Sequence, residues 1–409
     1  MHTKFNLVLY VSKSGKIFIC SRDHFGYTNL GSFCYICQFL LMNSERVFII
    51  SGEASGDLHA ANLVNAWKKI NPTMEFVAWG GDRLIAEHVK VLKHIRELSF
   101  MGFLEVFLNI FTILKNFKTC KAQLVEFNPS VFVLVDFPGF NLRIAEWAKK
   151  QGIHVVYYIS PQLWAWKQNR VKKIKKYVDE LYCILPFERD FYENFGMRVH
   201  YFGHPLLDEI ERFNHSNQNK IEVNKPILAL LPGSRLQEIK RKLPIMLEAS
   251  KAFTEFDVIV ACSTQLSPAY FDSFKREGVR FEFGKTYEIL QQASFAFVTS
   301  GTATLETALF EVPQVVCYKS SPLSFWIAKR VVKIKYISLV NLILGEGLVE
   351  ELIQNDCNSD QLVRSLKKLT TSIENKEQMI AGYKRLKVTL GGKGASERIA
   401  FSIHETFFK

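Results

Sequence analysis

VTSGTATLE, residues 298–306, ends one predicted strand and begins one predicted helix. The apolar run Phe295 to Val298 precedes it, and the helix leads to a second strand near Pro313. A phosphate can approach the backbone N–H groups of such a turn, where the helix dipole favours negative charge. Gly301 lacks the Cβ that would block this approach, and Glu306 lies where it could accept hydrogen bonds from a ribose. The alternative interpretation is an ordinary Ser/Thr helix cap.

A similar turn follows the first strand of the organised part of the chain. VFIIS (47–51) is a continuous β-branched run, typical of a strand buried on both faces, and SGEASGD (51–57) follows it. Glycines between a buried strand and a helix predict a loop at the carboxyl edge of a parallel sheet, where ligands bind. The dinucleotide fingerprint G-x-G-x-x-G is absent. A ligand loop and a tight turn capped by Ser55 or Asp57 both remain open.

Asp136 is the candidate general base. The buried strand VFVLV (131–135) delivers it to a carboxyl end, Pro138 and Gly139 predict a turn, and Asn141 suits a helix cap. A carboxylate at a strand tip in a cleft is positioned to accept a proton. The alternative is that Asp136 only accepts hydrogen bonds from turn N–H groups and stays ionised.

Arg235 is the candidate phosphate ligand of the second half. The strand ILALL (227–231) runs into Pro232-Gly233-Ser234-Arg235, and a guanidinium at such a turn can hold a phosphate bidentately. Gly284-Lys285-Thr286 resembles the end of a P-loop, but position 279, where the motif needs glycine, is valine. A Walker motif is therefore rejected.

Composition restricts the partners. The chain has 409 residues, enough for two domains with large cores, and its formal net charge of +12 favours an anionic partner. Of the eight cysteines, only Cys34 and Cys37 have metal-ligand spacing, and that pair lacks a second pair and a neighbouring histidine pattern. A zinc site is therefore not expected, and reduced thiols are the simplest account. No Asp-x-Asp pair occurs, so that metal-carrying carboxylate motif is missing. A metal-free enzyme would need basic groups and helix N-termini to stabilise a leaving diphosphate, and the second half supplies both.

Residues 98–117, LSFMGFLEVFLNIFTILKNF, form the most apolar stretch. Glu105, Asn109 and Lys115 interrupt it, so a transmembrane helix is not expected. A core helix and an interfacial element that holds acyl chains both remain open. The predicted apolar face consists of Phe100, Met101, Phe103, Phe107, Ile110, Phe111 and Leu114.

The rhythm of strands and helices predicts two doubly wound α/β domains that face a cleft. Residues 1–41 have no such rhythm, and we expect an extension outside the functional protein, with Met42 as its start. The predicted divisions are a first domain at 42–211, a polar linker at 212–225, a second domain at 226–385 and a helical tail at 386–409. Packing of this tail back on the first domain stays open.

The motifs closely resemble those of the lipid-A-disaccharide synthases, glycosyltransferase family 19, over residues 45–355. The matching motifs are SGEASGD, LVDFPGFN, SPQLWAWKQNRVKKIKK, FGHP, LLPGSRLQEI, SGTATLE and SLVNLILG. The resemblance implies the GT-B fold and metal-free, inverting transfer of 2,3-diacylglucosamine from its UDP derivative. The acceptor is the 6-hydroxyl of 2,3-diacylglucosamine 1-phosphate, and the products are a β-1,6 disaccharide and UDP.

The resemblance also implies roles for particular residues. Asp136 matches the base, although many relatives have a second carboxylate where this chain has Gly139, so Asp136 must act alone or with a more distant partner. The expected cleft loop of the first domain contains Glu53, Ser55 and Gly56. The expected UDP site comprises Arg235, Ser300, Gly301, Thr302, Glu306 and Asn341. The expected lipid or membrane contacts are Phe100, Met101, Phe103, Phe107 and Phe111.

The implied partners are the two lipid substrates and an anionic membrane surface, with no cofactor, metal or nucleic acid. The implied location is the cytoplasm, peripherally on the inner face of the bacterial inner membrane. Two alternatives differ in class: a GT-B UDP-sugar epimerase, and a non-catalytic basic protein that binds membranes or nucleic acid.

Overall fold

The computed structural model describes residues 7–11, 17–21, 45–98, 110–215, 220–332 and 334–409. Residues Met1–Glu45 form a compact unit separate from Arg46–Lys409. Within the first unit, β1 (Leu7–Val11) pairs antiparallel with β2 (Ile17–Ser21). The predictions for this extension contain no hairpin, although Ser14-Gly15, a dipeptide common in turns, stands between the two strands in the sequence.

The second unit contains two parallel sheets with helices between their strands. The strands of the first sheet are β3 (Arg46–Ser51), β4 (Glu75–Gly80), β5 (Lys90–His94), β6 (Val131–Val135), β7 (His154–Tyr158), β8 (Glu180–Cys183) and β9 (His200–Tyr201). Those of the second are β10 (Ile227–Leu231), β11 (Asp257–Cys262), β12 (Val279–Phe283), β13 (Ala293–Thr299), β14 (Gln314–Tyr318) and β15 (Glu350–Ile353).

The α-helices of the described residues follow the same alternation. They are α1 (Ala54–Ile70), α2 (Asp82–Ala86), α3 (Ile110–Phe127), α4 (Pro138–Lys150), α5 (Val171–Tyr177), α6 (Glu188–Glu193), α7 (Leu206–His215), α8 (Leu236–Ser250), α9 (Thr286–Gln292), α10 (Thr302–Leu309), α11 (Pro322–Val331), α12 (Leu339–Leu344), α13 (Ser359–Thr371), α14 (Ile373–Thr389) and α15 (Ala395–Phe407). Short 3₁₀ turns lie at Ile95–Glu97, Gln168–Arg170 and Pro268–Phe274.

Both sheets are doubly wound. The strand orders are β5-β4-β3-β6-β7-β8-β9 and β12-β11-β10-β13-β14-β15, with every pair parallel. In β6, alternate residues belong to two different hydrophobic clusters, so both faces of the sheet are covered. This coverage explains why the central strands are continuous apolar runs. The predicted pair of doubly wound sheets is confirmed.

The order of each sheet reverses between its two central strands. In the first sheet Ser51 at the end of β3 pairs with Val135 at the end of β6. In the second, Leu231 of β10 pairs with Val298 of β13. Such switch points leave a crevice beyond the carboxyl ends of the strands. The four turns selected from the sequence all begin at these positions.

The last helix, α15, packs against helix α1 and strand β8 of the first sheet. On α15, Ile399 and Ile403 lie in one hydrophobic cluster with Trp67 of α1. Tyr182 of β8 and Ser402 share a hydrogen bond of 2.9 Å. Helix α7 extends to His215, so it includes the first residues of the segment predicted as a linker, 212–225. Residues 216–219 lie outside the described part.

The apolar stretch 98–117 is described only at its ends. Phe100, Met101, Phe103 and Phe107 lie outside the described residues. Phe111 lies in the first turn of α3 and its side chain is 82% exposed. Among the helices that the structure describes, none combines the length and hydropathy needed to span a membrane.

Candidate active site

Asp136 lies directly after β6 in an unusual backbone conformation. Asp136 and Phe137 have φ of 46° and 48°, a left-handed region that costs free energy for residues other than glycine. The Tyr157 hydroxyl donates to the Asp136 carbonyl at 2.6 Å, and the Asn141 amide donates to the same oxygen at 2.8 Å. These bonds hold the strained turn and aim the carboxylate out of the strand.

Helix α4 begins earlier than the sequence predicts. Pro138 and Gly139, predicted as a turn, are its first two residues, and Asn141 bonds back to the strand instead of capping the helix. Gly139 is exposed and has no atom within 4 Å of an ideal Cβ position. The turn itself is made by Asp136 and Phe137.

The surroundings of Asp136 favour proton acceptance near neutral pH. Burial, and after it the nearby carboxylate of Glu53, raise its pKa to about 7. The Phe137 N–H and the Arg235 guanidinium act in the opposite direction. A general base works best when its pKa lies near the working pH.

Glu53 and Arg235 connect the two switch points. Arg235 Nη2 lies 2.9 Å from Glu53 Oε2, across 182 residues of sequence. The loop of Glu53 is held close to the Asp136 turn, because a Cβ on Gly52 would stand 2.3 Å from the Phe137 ring. The ion pair therefore brings Glu53, Asp136 and Arg235 into one site between the sheets.

Ser55 and Gly56 lie in the first turn of α1, beside this site. Gly56 is buried, and a Cβ there would lie 3.4 Å from the Cβ of Ser51 and 3.6 Å from Val135 Cγ1. This contact packs the start of α1 against the ends of β3 and β6. Asp57 accepts the Gly81 and Arg83 N–H groups at 2.6 and 3.0 Å, so it ties α1 to the turn after β4.

The turn after β13 has an open N-terminus. Gly301 has φ of 141° and no atom lies within 4 Å of an ideal Cβ position, so the backbone requires glycine and the space beside it is free. Thr302 is the first residue of α10, and no side chain caps this helix. The Ser300 hydroxyl donates to the Ile337 carbonyl at 2.8 Å. The backbone N–H groups are the anion donors available here.

Glu306 and Asn341 lie near this turn with their side chains engaged. Glu306 is half-buried and accepts a hydrogen bond from the Tyr287 hydroxyl at 3.0 Å, and burial raises its pKa. Asn341 is buried, and its amide exchanges hydrogen bonds of 2.8 and 2.9 Å with the backbone of Val349. A direct contact of Asn341 with UDP stays a prediction, as does the ribose contact of Glu306.

Two buried charged residues near the site were not selected from the sequence. Glu188 accepts a hydrogen bond from Trp164 Nε1 at 3.2 Å, and burial raises its pKa to about 8. Lys242 lies on the buried face of α8. Its signal in the sequence is a lysine within the helical apolar stripe of Ile239, Leu243 and Met246. Within the described ranges, no group of three or more His, Cys, Asp or Glu side chains is placed to hold a metal ion.

Comparison with known proteins identifies the family. The family model described as lipid-A-disaccharide synthetase matches residues 47–400. The chain belongs to the lipid-A-disaccharide synthase family. The lipid-A-disaccharide synthase of Myxococcus xanthus is 37% identical over 376 residues, which cover 89% of this chain and 98% of that protein. Lipid-A-disaccharide synthase 1 of Legionella pneumophila (strain Lens) is 38% identical over 368 residues, which cover 86% and 95%.

Solved structures of low identity show the same fold as this family member. The UDP-GlcNAc 2-epimerase of Neisseria meningitidis, bound to UDP-GlcNAc, has a TM-score of 0.63 at 13% identity and covers 88% of this chain and 100% of that one. The calicheamicin glycosyltransferase CalG4 has a TM-score of 0.56 at 16% identity and covers 90% and 99%. These likenesses establish GT-B architecture.

The resemblance found in the motifs is thus confirmed. Lipid-A-disaccharide synthase activity in lipid A biosynthesis, a UDP-sugar-dependent glycosyl transfer, is the activity that family membership gives this chain. Its substrates are accordingly lipid A precursors.

Proposed function

We propose that Asp136 is the general base of an inverting transfer. The donor is UDP-2,3-diacylglucosamine, and Asp136 accepts the proton of the 6-hydroxyl of 2,3-diacylglucosamine 1-phosphate as that oxygen attacks the donor's anomeric carbon. The bond to UDP breaks as the β-1,6 bond forms. The observation that supports this proposal is the carboxyl of Asp136, which lies at a strand end beside Arg235, between the two sheets, and has a pKa of about 7.

Arg235 and the turn of Ser300, Gly301 and Thr302 hold the diphosphate in this proposal. The guanidinium and the free N–H groups of α10 are the donors suited to charge that develops on the leaving group. In this proposal the diphosphate competes with Glu53 for Arg235, because the Glu53 carboxylate lies 2.9 Å from the guanidinium. Glu306 and Asn341 complete the UDP site, and Glu53, Ser55 and Gly56 line the acceptor side.

Glu53 is the more distant partner of Asp136. With Gly139 at the position of a second carboxylate in many relatives, Glu53 is the carboxylate that acts on the pKa of Asp136. Like charges in one site disfavour simultaneous ionisation, which keeps the pKa of Asp136 close to neutrality. Glu53 therefore tunes the base without taking the proton.

A membrane-facing surface is proposed around the start of α3. Phe111 and Leu114 are 82% and 58% exposed, and the exposed residues Lys115 and Lys118 share their helical face. Exposed apolar side chains with lysines suit the boundary of an anionic bilayer. The lipid contacts predicted for Phe100, Met101, Phe103 and Phe107 stay a prediction outside the described residues. We propose a peripheral location on the cytoplasmic face of the bacterial inner membrane.

The test is UDP release from UDP-2,3-diacylglucosamine with and without the monosaccharide acceptor, each with and without EDTA. We expect release only with the acceptor, at the same rate in the chelator, together with a disaccharide 1-phosphate product. Release without the acceptor would indicate a hydrolase or an epimerase and contradict the proposal. Loss of release in EDTA, with recovery on adding a divalent cation, would contradict metal independence.

A further inference from the structure

Lys242 is a buried cation beneath the second switch point. It lies in the middle of α8 and only 3% of the residue is exposed. Its neighbours along the same helical face, Ile239, Leu243 and Met246, are apolar and buried. An ammonium group in such a position costs free energy unless partners compensate its charge.

The partners of Lys242 connect it to the turn after β13. Its Nζ donates to the hydroxyl of Thr299, the last residue of that strand, directly before Ser300. The nearest carboxylate oxygen is Glu238 Oε2, at 3.8 Å. Apart from Glu238, the groups that act on the ammonium are the thiols of Cys317 and Cys357 and the guanidinium of Arg235.

Glu238 serves two cations at once. Its Oε1 lies 3.7 Å from Arg235 Nη1, while Oε2 lies 3.8 Å from Lys242 Nζ. The loop before α8 lies directly over this carboxylate, since a Cβ on Gly233 would stand 2.4 Å from Glu238 Oε2. Both distances are long for a charge-assisted hydrogen bond. Glu53 also contacts Arg235, so carboxylates neutralise both cations, and a bound diphosphate can take the place of these carboxylates.

Packing alone does not explain a lysine here. A methionine has a similar unbranched stem and would suit the apolar face of α8 without a buried charge. Replacing a buried ion pair by apolar groups is often neutral or stabilising. The charge of Lys242 therefore points to a ligand and not to the core.

We propose that Lys242 is a positioning residue for the donor diphosphate, which fixes Thr299 beneath the phosphate turn and adds a buried positive charge beside the exposed Arg235. This inference rests on the proposed UDP site and deepens it. When the diphosphate binds, it shares the two cations with Glu238, and the site becomes more nearly neutral. The role is electrostatic, so it requires the phosphates of the ligand and not its uridine.

The experiment measures the affinity of the full-length protein for UDP and for uridine by calorimetry, together with the thermal unfolding midpoint. Lys242→Met should weaken UDP binding about tenfold or more, since the charge acts at short range in a partly buried site. Uridine binding should stay within twofold of wild type, and the unfolding midpoint should be unchanged or higher. Lys240→Met is the matched control, because Lys240 is exposed on the same helix, and it should alter none of the three.

A second variant tests whether the Glu238 carboxylate competes with the diphosphate for Arg235 and Lys242. Glu238→Gln removes the competing anion and keeps both cations, so UDP should bind more tightly than to wild type, with uridine unchanged. Equal UDP affinity of Lys242→Met and wild type would overturn the inference, as would equal losses for UDP and uridine or a large fall in the unfolding midpoint. Weaker UDP binding by Glu238→Gln would also overturn it. If wild type itself does not bind UDP, the proposed donor site fails, which is a distinct result.

Discussion

Replacing Glu53 by glutamine should move the acid limb of the pH–rate profile to lower pH. In the structure the pKa of Asp136 is about 7, raised by burial and then by the Glu53 carboxylate, and lowered by the Phe137 N–H and Arg235. Glu53→Gln removes one raising influence. It also releases Arg235 from its 2.9 Å ion pair, so the guanidinium stabilises the ionised Asp136 more strongly.

Both changes favour the carboxylate form, and the expected shift is about one pH unit. One unit corresponds to about 1.4 kcal/mol of differential interaction, a plausible size for one nearby charge at a partly buried carboxylate. At pH 6, a base with a pKa of 7 is about 10% ionised, whereas a base with a pKa of 6 is about half ionised. Relative to its own plateau, the variant should therefore be about fivefold faster at pH 6.

The assay is kcat/KM for the donor between pH 5.5 and 9, because this parameter reports the ionisation of the free enzyme. Both enzymes receive the same acceptor, so ionisation of its phosphate cancels in the comparison. Glu75→Gln is the control, since Glu75 lies at the opposite end of the same sheet and is paired with Arg46. An acid limb that stays in place, or moves to higher pH, would refute the electrostatic coupling between Glu53 and Asp136.

Three further predictions concern stability, turn geometry and the membrane surface. Tyr157→Phe removes the 2.6 Å hydrogen bond to the carbonyl of the strained residue Asp136, so the free energy of unfolding should fall by about 1–2 kcal/mol. In the same variant kcat should fall by a larger factor than the donor KM rises. An unchanged kcat would contradict this. Burial lowers the pKa of His59 to about 4, so the contribution of neutral His59 to stability is present above pH 6.5 and is lost as the pH falls. Between pH 7 and pH 5, the free energy of unfolding in urea should fall by about 2 kcal/mol more for wild type than for His59→Gln. Equal falls in the two proteins would refute this prediction. The double change Phe111→Ser and Leu114→Ser should weaken sedimentation with anionic vesicles about tenfold. Phe401→Ser, at a phenylalanine that is 54% exposed on α15, should not weaken it, and equal effects would remove the proposed surface.

The strand-tip residues were the part of the site that local sequence could predict. Asp136, Arg235 and Gly301 each follow a buried strand and precede a helix. This pattern predicts the same kind of position for all three, at the carboxyl edge of a parallel sheet. That inference needs only the periodicity of the flanking strands. The fold follows from the same periodicity, because the central strands of both doubly wound sheets are continuous apolar runs.

Contacts between distant segments could not be predicted in the same way. The pair Glu53–Arg235 joins residues 182 apart, and no local pattern encodes the approach of two sheets. The left-handed Asp136 and Phe137 lack the glycine that usually marks such a turn, so Pro138 and Gly139 attracted the prediction instead. The charge of Lys242 was hidden among the many lysines of a basic chain.

The central claim is that Asp136 accepts the proton of the acceptor hydroxyl. Its most direct test is the single-turnover rate of Asp136→Asn at saturating donor and acceptor, measured between pH 5.5 and 9 and compared at pH 8, with UDP affinity measured on the same protein. The account predicts a rate lower by about 10²–10⁴, UDP affinity near that of wild type, and a residual rate without the acid limb near pH 7. A rate within a few-fold of wild type, with the acid limb intact, would contradict the assignment of Asp136 as the base.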